Sequence, residues 1–230
     1  MKRRGSSPSV FDEPHIRPSS SRRRGGKDPA DSVTTEPQAD GAAGNRYADW
    51  LEEGRDQTGA LRSWLIILAC ALAAGPAAVV GAFWGSGQTS FSILALTVFG
   101  PAVEEMAKIM PILILVERLP YVVRNRVQIL LCAFAGGLVF AVIENFLYLK
   151  VYIPDPGPTL VAWRWSFGIA LHTGCSLVAG LGVAGIWSTI HRKNRPPRTE
   201  EGAPFFILAI VLHGGYNAFA ILLERFNSPF

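Results

Sequence analysis

Predominantly apolar runs occupy five stretches of this chain, roughly 62–83, 92–117, 129–149, 165–189 and 204–224. About 20 such residues cross a bilayer as α-helix. The pattern predicts an all-α, polytopic transmembrane bundle of five spans over residues 61–226. Residues 1–60 are different. Stretches such as Arg-Arg-Gly-Ser-Ser-Pro-Ser carry too little apolar surface to offset the entropy of ordering. They predict a disordered tail, broken only by a weak amphipathic signal for a short interfacial helix at Tyr47–Glu53.

Charge orients the spans. The loop at 118–128 carries Arg118, Arg124 and Arg126, and the loop at 190–203 carries Arg192, Lys193, Arg195 and Arg198. The alternate loops, 84–91 and 150–164, hold only Lys150 and Arg164. Basic residues collect in cytoplasmic loops, so the expected topology is N-terminus in, C-terminus out, in the plasma membrane. The first span starts too far along the chain for an ordinary secretory signal. The tail balances ten Lys/Arg against ten Asp/Glu. Arg22, Arg23 and Arg24 can attract anionic lipid or nucleic acid, but a solvated tail is favoured and no specific nucleic-acid partner is expected. Cys70, Cys132 and Cys175 lie in apolar runs without metal-site or disulfide spacing, and read as small packing residues.

The exceptions to apolarity carry the chemistry. The first span has no ionisable residue beyond Arg62 at its edge; it reads as an anchor, kinked at Pro76. The second is interrupted by Gly100-Pro101, then places Glu104, Glu105 and Lys108 at membrane depth, where each charge costs roughly 2.5–3.5 kcal/mol or more. Lys108 follows Glu104 by four and Glu105 by three, within reach of either acid. Gly100-Pro101 reads either as a simple kink or as a fresh helix start, whose dipole would favour the two acids. In the third span Phe140, Glu144 and Tyr148 share a face at steps of four. The fourth holds His172 with Ser176 one turn on, the fifth His213 with Asn217 one turn on.

Depth links these positions. Counted from the outer end at about 1.5 Å per residue, Glu104 lies about 18 Å in, His213 about 16 Å, His172 and Asn217 about 10 Å and Glu144 about 8 Å. Four helices thus offer polar groups to one site in the outer half of the bilayer. Three carboxylates in a low dielectric cannot all ionise cheaply. A strongly basic carboxylate beside imidazole is suited to take a proton from water, and His with Asn at a spacing of four can donate jointly to an oxyanion. That is enough for amide hydrolysis. No Ser or Cys has an evident activating arrangement, and the zinc-protease pattern His-Glu-x-x-His is absent.

Glu-Glu-x-x-Lys at 104–108, Phe-x-x-x-Glu at 140–144, His172, and His-x-x-x-Asn at 213–217 together resemble the PrsW family of intramembrane proteases. That family is similar to the CAAX-prenyl-endopeptidase and bacteriocin-processing group, whose second motif ends in His. The resemblance implies Glu104 as general base with Glu105 its neighbouring acid, and Glu144 at the second-motif position. It implies His172 as the intervening histidine, and His213 and Asn217 as oxyanion donors. Lys108, Tyr148 and Ser176 are supporting residues. It also implies cleavage of a membrane-anchored protein, such as a single-span anti-sigma factor, near the extracytoplasmic surface. Five spans are fewer than the resemblance implies, so sealing the site from lipid is expected to involve a re-entrant piece at Gly100-Pro101 or a homodimer.

Two other classes compete: a transporter or proton relay, because intramembrane Glu and His also mark ion paths, and a catalytically inactive membrane adaptor. The only internal similarity, Leu-His-Thr-Gly-Cys-Ser against Leu-His-Gly-Gly-Tyr-Asn, is too short for a transporter repeat. The cofactor stays open. Glu105, Glu144, His172 and His213 make a candidate zinc set, and a metal-free glutamate mechanism is the alternative.

Overall fold

The computed structural model describes residues 38–86 and 93–227. Tail residues 1–37, including Arg22 to Arg24, lie outside the described residues, as do residues 87–92 and 228–230, Phe230 included. Helices α1 (Gln38–Gln57), α2 (Ala60–Ser86), α3 (Gly100–Arg118), α4 (Arg126–Leu147), α5 (Pro158–Trp163), α6 (Ile169–Lys193) and α7 (Ala203–Asn227) build the bundle, with no strand among the described residues. Three π-helical segments extend them: Ala95–Phe99 before α3, Tyr148–Tyr152 after α4 and Arg164–Gly168 before α6.

Four helical stretches are long and apolar enough to cross a membrane: Ala60–Gly81, Arg126–Tyr152, Pro158–Lys193 and Thr199–Leu223. The expected second span fails that test only because α3 carries Glu104, Glu105 and Lys108. From Ala95 to Arg118 it is helical throughout, and at 1.5 Å per residue it reaches about 36 Å. The fourth span is longer than expected, starting at Pro158 rather than 165. Arg164, assigned to a loop from sequence, is therefore inside a helix. Pro76 lies within an unbroken α2. Asn194 closes α6 in the left-handed conformation that asparagine tolerates well.

Residues 38–57 depart furthest from expectation. They form a helix of 20 residues, which contains the expected Tyr47–Glu53 helix and replaces the disorder expected on either side of it. Leu51 is buried, and Trp50 meets the Tyr121 ring edge-on at 5.2 Å. Polarity hid this helix, because its few apolar side chains cover one small patch. At the same end of the bundle, Asn125 caps α4 by accepting from Gln128 N–H. Fully buried Gln128 accepts from Arg124 N–H and donates to Ser63 Oγ of α2. Thr199 Oγ1 donates to Glu117 Oε1, and Trp187 Nε1 donates to Pro120 O. Both arginine-rich connections therefore lie at one end.

Helix α6 is central. In its span 56% of residues are buried, against at most 44% in the other three. It packs against α3, α4 and α7, with Ile109, Ile112, Val116, Ile129, Val183 and Ile186 among the residues between them. Gly137 allows α4 and α6 to touch: a Cβ there would lie 2.6 Å from Ser176 Oγ and 2.8 Å from His172 O. Such small-residue contacts are how helices associate closely in lipid. This one sets the height of His172 against α4.

Candidate active site

Helices α3, α4, α6 and α7 direct their charged and imidazole side chains to one point. Glu105 and Lys108, one turn apart on α3, pair at 2.5 Å and are 1% and 2% exposed. The same Glu105 oxygen lies 2.7 Å from His213 Nδ1 of α7. A carboxylate only accepts, so Nδ1 carries the hydrogen. In neutral His213 this leaves Nε2 a bare lone pair, and it faces Glu104 Oε2 at 3.7 Å.

His172 of α6 is fixed as firmly. Its Nδ1 lies 3.3 Å from Lys108 Nζ and its Nε2 lies 2.8 Å from Glu144 Oε2. An ammonium can only donate, so Nδ1 accepts and Nε2–H donates to Glu144. Phe140 supports both partners: its ring meets His172 edge-on at 4.9 Å and lies under Lys108 Nζ at 4.5 Å. The two imidazoles themselves pack edge to face at 4.8 Å.

Arg164, which sequence reasoning left in a loop, completes the cluster. Its Nη2 donates to Glu144 Oε2 at 2.8 Å, and its guanidinium sits 4.0 Å from the centre of the Tyr148 ring. Asn145 holds it: Arg164 Nε donates to Asn145 Oδ1, while Asn145 Nδ2 donates to Arg164 O. Asn145 is fully buried. The signal for both was present in sequence, as an amide next to Glu144 and an arginine at the edge of an apolar run. Trp163 and Tyr216 were also missed. Trp163 Nε1 donates to Tyr216 OH at 2.5 Å, tying the start of the fourth span to α7.

Glu105 is thus matched by Lys108 and Glu144 by Arg164, with both partners inside the cluster. Among the described residues Glu104 has no such cation. Its Oε2 is buried without a hydrogen-bond partner, leaving one negative charge in excess if both imidazoles are neutral.

Two of the expected site residues lie elsewhere. Ser176 is buried in the α4–α6 contact against Gly137, its Oγ without a partner. Asn217 Nδ2 donates to Leu96 O at 2.9 Å. This bond has a covalent origin. Along the π-helical segment the pattern is i to i−5, as in Gly100 N–H to Ala95 O. Leu96 O would next receive from residue 101, but Pro101 has no N–H. Asn217 fills the vacancy. Gly214, one turn before it, meets the same segment: a Cβ there would overlap Thr97 O. The break expected at Gly100-Pro101 is therefore a π-helical segment clasped by α7.

The donor set also bears on metal. Ligand atoms of Glu104, His172 and His213 all lie within 4.8 Å of one another. Two imidazole nitrogens and a carboxylate suit a zinc-class ion. The bare oxygen of Glu104 and the Nε2 lone pair of His213 fit such an ion, and Glu105 is the outer acceptor a ligating histidine normally has. Of the four ligands expected from sequence, His172 and His213 belong to this set. Glu105 and Glu144 instead bond to the two histidines.

A family model described as PrsW family intramembrane metalloprotease matches residues 59–228. No curated protein and no solved structure matches the chain. The match spans all four apolar helices and every residue of the cluster, and it sets aside the transporter reading. This chain belongs to the PrsW family of intramembrane metalloproteases and is a multi-pass membrane enzyme.

Proposed function

We propose that the chain hydrolyses a peptide bond of a membrane-anchored protein, a single-span anti-sigma factor being the substrate class, and that Glu104 handles the proton. The observation carrying this reading is that Glu104 alone of the three clustered carboxylates lacks a cation partner among the described residues. A buried carboxylate in direct contact with neither Lys nor Arg is the strongest base available. Glu104 takes a proton from water as the oxygen attacks the carbonyl carbon. It returns that proton to the departing amide nitrogen as the C–N bond breaks, giving an acid and an amine. Glu105 orients His213, Glu144 orients His172, and Arg164 holds Glu144 in register with α6.

His172 and His213 would hold the metal, with Glu104 Oε2 left beside them as the base. When bound, a zinc-class ion polarises the scissile carbonyl and acidifies water. The side-chain chemistry favours this over the metal-free alternative. An oxyanion needs donors, yet Asn217 is occupied at Leu96 and neutral His213 presents a lone pair at Nε2. For His172 to bind the ion, its Nε2 would give up Glu144 and its proton, the ring taking the Nδ1–H tautomer and Lys108 leaving Nδ1. Residues 61–226 form the catalytic unit, with α1 docked beside it.

The reading is tested by cleavage of a single-span substrate in liposomes, with metal analysis of the purified protein. Glu104→Gln keeps shape but not basicity, and should lower the rate at least about a hundredfold. Wild-type turnover by a well-folded E104Q protein would remove Glu104 from this role. Stoichiometric metal in wild type, lost in His213→Ala, is the expected analytical result; equal metal content in both would reject the ligand set.

A further inference from the structure

The end of the bundle away from the cluster contains a cleft of about 570 Å3 between α4, α6 and α7. Its walls are apolar, including Leu130, Leu181 and Phe205, while Arg126, Arg192 and Thr189 stand at its rim. The two arginines occupy span ends: Arg126 begins the Arg126–Tyr152 span, and Arg192 is the penultimate residue of Pro158–Lys193. That is headgroup level. Both are exposed, and neither has an ion pair or side-chain hydrogen bond among the described residues. Glu201, on the neighbouring connection, is already paired with Arg195. Gly185 lines the cleft, and a Cβ there would meet nothing within 4 Å, so the space beside α6 is open.

We propose that this cleft binds an anionic phospholipid, with the phosphate between Arg126 and Arg192 and one acyl chain along Leu130, Leu181 and Phe205. Charge complementarity selects the occupant. Two unpaired guanidinium groups on separate helices suit a phosphodiester, and the apolar wall beneath them suits hydrocarbon. A zwitterionic headgroup brings its own cation and gains less from the pair. Basic pockets between spans on one membrane face are how such lipids are recognised. The site is independent of the catalytic cluster.

The test is native mass spectrometry of the full chain in detergent with equimolar dioleoyl phosphatidylglycerol and dioleoyl phosphatidylcholine. Wild type should retain the anionic lipid about fivefold or more over the zwitterionic one, and R126Q/R192Q should reduce that preference to near unity. R118Q/R198Q removes equal charge from the same end outside the cleft and should keep the preference. Gly185→Leu leaves both arginines but fills the space, and should lose it. No preference in wild type would overturn the site. An equal loss in R118Q/R198Q would show general surface charge instead, and full preference in G185L would show that no acyl chain occupies the cleft. If R126Q/R192Q does not fold, R192Q alone with G185L decides the matter.

Discussion

Pro101 and Asn217 compensate one another. The proline withholds an N–H from Leu96 O, and the amide on α7 restores it. A lost hydrogen bond costs about 0.5–1.5 kcal/mol, so Asn217→Leu should lower both thermal stability and turnover by displacing the start of α3. A purely chemical donor would lower turnover alone. Pro101→Ala returns the missing donor. In that background Asn217→Leu should cost much less stability, and a double-mutant cycle in thermal unfolding measures the difference. Additive effects would separate the two residues. Lys108 has the harsher arithmetic. Lys108→Met strands Glu105, which is 1% exposed, and should destabilise by about 3–5 kcal/mol. Adding Glu105→Gln should recover part of that loss in the same measurement.

Among elements, the spans were legible because an apolar run of bilayer length has few other meanings. The four helices that meet at the site were legible for the converse reason, since charge inside such a run is costly unless used. What could not be read was geometry at their ends. A π-helical segment has no distinct apolar period, so Arg164 fell to a loop and Asn217 appeared free to donate. Only the Tyr47–Glu53 part of helix α1 was legible, because among its described side chains Leu51 alone is fully buried, with Tyr47 and Trp50 packed partly against the core. One deletion and one substitution check this account by limited proteolysis of membranes. Removing residues 2–45 retains Tyr47 through Gln57 and should leave the spans and the docked turn protected. Trp50→Ala in the intact chain should instead expose residues 46–57 to cleavage while the spans remain inserted.

For the molecule as a whole, the two basic connections share an end and the carboxylate cluster lies toward the other. By the positive-inside rule we propose the extracytoplasmic half as the side of reaction. Cysteine labelling on a cysteine-free background should find positions in the 194–202 connection reactive only from the cytoplasm; labelling from outside would invert the enzyme. The cluster is also assembled late. Its bonds from Glu105 to His213 and from Leu96 to Asn217 join residues 108 and 121 positions apart. Because α7 follows the other three site helices in the chain, a nascent chain inserted only through α6 has its acids in place but neither clasp. Proteolytic power therefore waits on the insertion of α7, which brings both His213 and Asn217 to the residues they hold.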